Sequence, residues 1–297
     1  MKVLVADDDH VSRRMLQSSL QRQGYDVVAA ANGIDATAIL LGPDAPRLAI
    51  LDWVMPGADG LAVCHTIREQ ASAYVYVIIL TSKDRKEDLA AAFDAGVDDF
   101  LTKPFEPVEL RGRLRSGERV IQLQNSLMEL TVELQRQATH DSLTGLWNRP
   151  MVLKELEGEL KRSLREGRPV SVVMADVDHF KNVNDQHGHA AGDHVLRGTA
   201  ERIVSGLRAH DRVSRYGGEE FLFFLPGADV AAAAIVAERV RAAVCESPIA
   251  TGERTVPVTL SLGLATTNES TDVEGLIATA DAAMYRAKAR GRNRVEL

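Results

Sequence analysis

The run Val3-Leu4-Val5-Ala6-Asp7-Asp8-Asp9 decides the first half of the fold. A strand buried on both faces reads as a short unbroken apolar stretch, and this one delivers three carboxylates at its carboxyl end. The design returns at Leu48-Ala49-Ile50-Leu51-Asp52, at Val75 to Leu80 followed by Thr81, and at Phe100-Leu101 followed closely by Lys103. Val11 to Gln23 is long enough for a crossover helix, and Gly24 offers its C-cap. Alternating strands and helices imply a doubly wound parallel sheet covered on both faces, with ligands at the carboxyl ends of its strands. By that rule Asp7, Asp8, Asp9 and Asp52 converge on one sheet edge, with the Thr81 hydroxyl and the Lys103 ammonium on the same rim. Crowded carboxylates repel unless a cation joins them, and hard oxygen ligands with open positions suit Mg2+. Together these groups make a phosphate site.

Working outward, 297 residues predict two domains, each with its own core. Lys plus Arg is 35 against 42 Asp plus Glu, a net charge of −7, which argues against a protein held mainly by nucleic-acid phosphates or an anionic membrane. With 45% hydrophobic and 26% charged residues, extensive disorder is excluded. Cys64 and Cys245 are the only cysteines, leaving no disulfide framework and no cysteine-based zinc site. No apolar run approaches the roughly 18 residues of a membrane span, and the chain enters its first strand without a signal peptide. The expectation is a soluble cytoplasmic protein with neither nucleic acid nor membrane as partner.

From about residue 119 to 138 the strand pattern stops. Apolar residues fall at Val120, Leu123, Leu127, Leu130 and Leu134, the alternating three and four spacing of a coiled-coil seam. The alternative is an amphipathic helix packed on its own domain; its position between two domains favours the seam. After residue 139 strands are expected at Val170 to Ala175, Phe221 to Leu225 and Val256 to Ala265, with helices near 150 to 165, 192 to 206, 229 to 245 and 272 to 290. Arg212 to Tyr216 and Glu219 to Leu225 meet at Gly217-Gly218 and read as a β-hairpin, so this half is α+β with an antiparallel component. Asp176 ends the first of these strands, and if the strands are neighbours it meets Glu219 and Glu220. Carboxylates from separate strands holding Mg2+ beside a turn without Cβ atoms suit nucleoside triphosphate chemistry. A Gly-Gly-Glu-Glu turn alone is an ordinary hairpin.

Residues 1–118 resemble the CheY-like receiver domain of bacterial response regulators, in Asp7-Asp8, Asp52 within Asp52-Trp53-Val54-Met55-Pro56, Asp59-Gly60, Thr81-Ser82 and Lys103-Pro104-Phe105. The resemblance implies a five-stranded parallel sheet and makes Asp52 the phosphoacceptor, phosphorylated by a histidine kinase or phosphotransfer protein. Asp7, Asp8, Asp52 and the Val54 carbonyl would hold Mg2+, Lys103 would pair with the phosphoryl oxygens, and Thr81 and Phe100 would be the switch pair. It also implies a cis Lys103-Pro104 bond.

Residues 139–297 resemble the GGDEF domain of diguanylate cyclases, an α+β domain with a mixed central sheet. The motifs are Asp141 to Arg149, Asp176 to Asp185, Gly188-His189 with Gly192-Asp193, Arg215 to Phe221, Ala282 to Lys288, and Gly291-Arg292-Asn293. By that likeness Asp176, Glu219, Glu220 and the Val177 carbonyl bind two Mg2+ ions, for which Mn2+ substitutes; base and ligand are not assigned between the two glutamates. Asn184 and Asp193 would read guanine, the amides at Phe180 and Lys181 would cradle phosphates at a helix start, and Lys288 and Arg292, four apart on one helix face, would neutralise them. The implied reaction joins two GTP into cyclic di-GMP and two pyrophosphates. It needs two domains face to face, hence a homodimer or a tetramer, which Asp52 phosphorylation would rearrange. Arg208 and Asp211 match the family's RxxD site for inhibition by the product. Two rivals are a transcription factor, which needs a basic helix-turn-helix output, and a silent nucleotide sensor, which would have lost Glu219, Glu220 or Asp176.

Overall fold

The apolar run that opens the chain is β1 (Lys2–Ala6), an interior strand of a sheet whose five strands are all parallel. The computed structural model describes residues 1–82, 94–252, 254–267 and 272–297, in two units, Met1–Thr131 and Val132–Leu297. In the first unit β2 (Asp26–Ala30), β3 (Leu48–Asp52), β4 (Tyr76–Ser82) and β5 (Asp99–Lys103) join β1 in the order β2-β1-β3-β4-β5. That is the doubly wound order whose switch point lies between β1 and β3. Helices α1 (His10–Arg22), α2 (Gly33–Leu40) and α3 (Gly60–Gln70) cross between strands, and two apolar clusters, one around Leu51 and Ile79 and one around Ile50 and Ile78, fill the two faces of the sheet.

The sequence pattern misses β2. It is an edge strand paired only to β1, and of its five residues only Ala30 is fully buried, so it lacks the unbroken apolar run of its neighbours. Asp9 also departs from expectation. It does not join the carboxylate rim but caps α1, accepting from the backbone N–H of Val11 (3.1 Å) and Ser12 (3.3 Å).

A helix, α4, runs from Pro107 to Thr139 without interruption. Leu110, Leu114 and Ile121 bury themselves in its first half, and Val120 is half-buried against the same core. Beyond them Leu123, Leu127, Leu130 and Leu134 are all more than half exposed.

The second unit is built on a mixed sheet, β12-β11-β6-β8-β7, from β6 (Val170–Val177), β7 (Arg212–Arg215), β8 (Glu220–Pro226), β11 (Leu260–Thr266) and β12 (Arg294–Glu296). Only β11 and β12 run parallel. Helices α5 (Arg149–Glu166) and α9 (Val273–Ala289) contribute to the core on one face; α7 (His189–Ser205) and α8 (Val230–Cys245), with the short α6 (Phe180–His187), to that on the other. The single strand expected over Val256 to Ala265 is two strands. β10 (Arg254–Val256) pairs with β9 (Ile249–Thr251) in a separate hairpin, and β11 begins at Leu260. Pro257 stands at the break, where it removes a ladder donor. Among the described residues no helix is long and apolar enough to cross a membrane.

Gly263 fixes how closely α9 lies on β11: a Cβ there would fall 2.0 Å from the Ala280 carbonyl oxygen and 2.1 Å from the Met284 nitrogen. Both obstacles are backbone and cannot rotate away. Gly263→Ala is expected to destabilise this unit by about 3 kcal/mol in urea denaturation followed by circular dichroism.

Candidate functional site

At the first sheet's edge, Asp7 follows the last residue of β1 and β3 ends on Asp52. A carboxylate oxygen from each of Asp7, Asp8 and Asp52 lies within 4.8 Å of the others, and among the described residues this is the only group of three potential metal ligands so close. Asp7 is fully buried. Its carboxylate accepts from Ser12 Oγ (2.7 Å), the Asp9 amide (2.9 Å) and Lys103 Nζ (2.8 Å). Lys103 Nζ also donates to Asp52 Oδ2 at 2.7 Å. One ammonium thus faces three carboxylates, and the deficit shows at Asp52. Burial, followed by the charges of Asp7 and Asp8, holds its pKa above the usual carboxylate range despite Lys103. A rim with excess negative charge and hard oxygen donors fits a divalent cation of the Mg2+ class.

Thr81 is buried on β4. Phe100 stands opposite Ile79 on β5, two residues back from Thr81 on the same face, half-buried against the core. Lys103-Pro104 is cis. The Val54 side chain is exposed in the loop after β3.

The second group of carboxylates gathers where β6 ends and β8 begins. Their antiparallel register sets Asp176 directly opposite Glu220. The turn before β8 is closed by the Tyr216 and Gly217 amides, which both donate to the Glu220 carbonyl, while the Val177 amide donates to the Glu219 carbonyl. Asp176 is 6% exposed and ion-paired to Lys288 Nζ at 2.7 Å. Burial raises its pKa, countered by Lys288 and Arg292. Burial and then the charge of Asp176 raise both Glu219 and Glu220. These carboxylates feel one another, yet they are not as tightly gathered as the first group. A divalent cation fits here as neutraliser of that shared charge.

Other expected residues fall around this point. α6 starts at Phe180 behind His179, itself in a left-handed conformation (φ 58°), and no side chain caps its first turn, which leaves the amide end open to an anion. Asn184 lies against Gly192, the residue before Asp193: a Cβ at Gly192 would sit 2.0 Å from Asn184 Oδ1. Arg292 departs from expectation. The helix carrying Lys288 ends at Ala289, Gly291 turns the chain (φ 109°), and Arg292 follows with φ 62°, so the two do not share a helix face. Arg208 and Asp211 meet through the backbone: the Arg208 amide donates to Asp211 Oδ2 at 2.8 Å. Beside them a cavity of about 460 Å³ is lined by Arg162, Arg168 and His210.

The sequence reading gave no role to Asp141 and Arg215, which brace the glycine turn. Arg215 donates to the Gly218 carbonyl through Nε (3.0 Å) and a terminal nitrogen (2.7 Å), and pairs with Asp141 at 3.2 Å. Asp141 overcomes its burial through Thr144 and Arg215 and keeps a lowered pKa. No spacing rule could have found this pair, since 74 residues separate them.

Replacing Lys103 by Met should leave the buried Asp7 charge unbalanced and cost about 3 kcal/mol without divalent cations, with part recovered when Mg2+ is added; calorimetry of the protein in chelator and in Mg2+ checks this.

The family profile "Response regulator receiver domain" matches residues 3–115, and the profile "Diguanylate cyclase, GGDEF domain" matches residues 138–294. The response regulator PleD of Caulobacter vibrioides is 34% identical over 302 residues, covering 99% of this chain; the chain spans 65% of PleD's length. Diguanylate cyclase DosC of Escherichia coli is 41% identical over 187 residues, 62% of this chain and 40% of its own. Among solved structures, the coiled coil and GGDEF domain of DgcB from Caulobacter crescentus in complex with c-di-GMP superposes with a TM-score of 0.55 at 31% identity, over 63% of this chain and 98% of that one. The GGDEF domain of TpbB or YfiN from Pseudomonas aeruginosa gives 0.52 at 38% identity, over 53% and 93%.

Proposed function

The chain belongs to the diguanylate cyclase GGDEF family, with a response regulator receiver domain ahead of the cyclase domain, and from that membership we propose that it condenses two GTP into cyclic di-GMP and two pyrophosphates under control of Asp52 phosphorylation. The observation that carries this reading is Asp176 facing Glu220 across β6 and β8 with Glu219 beside them and Lys288 against Asp176. Bound Mg2+ would supply charge neutralisation on the triphosphate, held by Asp176, Glu219, Glu220 and the Val177 carbonyl. The protein's part is orientation. Asn184 and Asp193 hold the guanine edge, the first amides of α6 at Phe180 and Lys181 meet phosphate oxygens, and Lys288 leaves Asp176 to pair with them. Arg215 and Asp141 keep the glycine turn at the height where backbone meets nucleotide. Glu219 or Glu220, with pKa values raised by burial, accepts the proton of the attacking 3′-hydroxyl.

One domain holds one GTP, so the reaction needs a second copy facing the first. Leu123, Leu127, Leu130 and Leu134 form an exposed apolar stripe on α4 that supports pairing through a coiled coil. Domains at 1–118 and 139–297, with a helical linker at 119–138, are the division this implies. Phosphate on Asp52, placed by Lys103 and the receiver-bound Mg2+, would draw Thr81 and repack Phe100, biasing how two copies meet. Cyclic di-GMP at Arg208 and Asp211 would restrain the enzyme. A histidine kinase or phosphotransfer protein is the partner such a receiver calls for.

Incubating purified protein with GTP and Mg2+ should yield cyclic di-GMP by chromatography. Glu219→Gln should lower the rate at least about a hundredfold, as expected for loss of a charge acting on developing phosphate charge. Absence of product from the wild type under a phosphoryl donor would refute the reading. Asp52→Asn should take up no phosphate from a small-molecule donor, and Arg208→Ala should keep its turnover while cyclic di-GMP accumulates, whereas the wild type slows.

A further inference from the structure

Asp178 is a buried carboxylate that the proposed chemistry does not use. It is 6% exposed and lies two residues beyond Asp176, past the end of β6. Its oxygens are fully engaged: Ser261 Oγ donates at 2.6 Å, Thr259 Oγ1 at 2.7 Å and the backbone amide of Asn293 at 3.1 Å, while its own amide donates to the Thr259 carbonyl at 3.0 Å. Of these donors Ser261 lies at the start of β11 and Thr259 just before it. The third comes from the turn between α9 and β12, far along the chain.

That turn is unusual. Gly291, Arg292 and Asn293 follow one another with φ of 109°, 62° and 46°. Glycine accepts such angles freely and asparagine tolerates them, but an arginine there is unfavourable and persists only when its surroundings hold it. Two contacts on Asn293 do so: its amide on Asp178, and its side-chain oxygen accepting from Arg241 at 2.6 Å. The Arg292 amide closes the helix end by donating to the Ala287 carbonyl at 2.9 Å. The Arg292 charge opposes, in small part, the burial that raises the Asp176 pKa.

Resting on the cyclase reading, we propose that Asp178 is a positioning residue: by anchoring the Asn293 amide it holds Arg292 in its left-handed turn, aimed at the phosphates of the GTP bound beside Asp176. It touches neither nucleotide nor metal, and its effect on substrate passes through Arg292. In Asp178→Asn the charge is lost and one acceptor oxygen becomes a donor, so Ser261, Thr259 and Asn293 share the single oxygen that remains and the hold on the turn weakens with little change in packing volume.

The test is a double-mutant cycle on the full chain, read as the affinity for a non-hydrolysable GTP analogue with Mg2+ by calorimetric titration. Asp178→Asn and Arg292→Ala should each weaken binding by about tenfold, the scale of one charge-assisted phosphate contact. The double variant should be no weaker than Arg292→Ala alone. Losses that multiply toward a hundredfold, or no loss in Asp178→Asn, overturn the proposal. A merely structural role for Asp178 would lower affinity in the Arg292→Ala background as well. Wild-type protein that binds no analogue at all overturns the cyclase reading instead. Should Asp178→Asn not fold, hydrogen exchange in the wild type decides: the Asn293 amide should exchange at least tenfold more slowly than an unstructured amide, and exchange at the unstructured rate removes the anchor.

Discussion

Negative charge gathered at one edge of a sheet is the constraint on which both halves of this protein are built. Parallel or mixed sheets bring loop residues from distant stretches to one edge, and here those residues are carboxylates. Left alone they would repel. In each half a lysine from a later element enters the group: Lys103 bridges Asp7 and Asp52, and Lys288 pairs with Asp176. Neither ammonium balances its site fully. The excess leaves Asp52, Asp176, Glu219 and Glu220 with pKa values above their usual range, burial being the first cause in each case. Sites of this kind are poised for divalent cations and phosphate, which complete the charge balance that folding leaves open.

The two sites differ in how far that preparation goes. The first is drawn tight, with three carboxylate oxygens within 4.8 Å of one another. The second is looser, its acids set by the register of β6 and β8, by the brace of Arg215 on Asp141, and by the turn that Asp178 anchors. On the proposed reading, a pocket that takes up a phosphoryl group on its own carboxylate gains from being tight. One that must admit a nucleotide with its metal gains from assembling around the ligand.

Much of this was legible beforehand, for a physical reason. Strands buried on both faces write themselves as unbroken apolar runs, so β1, β3, β4 and β6 were readable together with the polar side chains at their carboxyl ends. The edge strand β2 and the short β9 and β12 were not, because pairing supports them more than burial does. The break at Pro257 was visible as a residue but was overridden by the apolar residues on either side. Asp9 shows the limit of reading side chains by type: three consecutive aspartates look alike, and only backbone geometry separates a helix cap from the two that join Asp52. Arg292 shows the same limit at a helix end, since a four-residue spacing means a shared face only while the helix continues. Asp141, Arg215 and Asp178 act through partners dozens of residues away, and no local pattern marks them.

The central claim is that the acids of both halves take up divalent cations, the second set with its nucleotide. Electron paramagnetic resonance of Mn2+ bound to the full chain counts those ions directly. The account predicts about one ion per chain from Mn2+ alone, lost in Asp8→Ala, and additional uptake with a non-hydrolysable GTP analogue, lost in Asp176→Asn. The same count with and without the nucleotide, or a count indifferent to both substitutions, would contradict it.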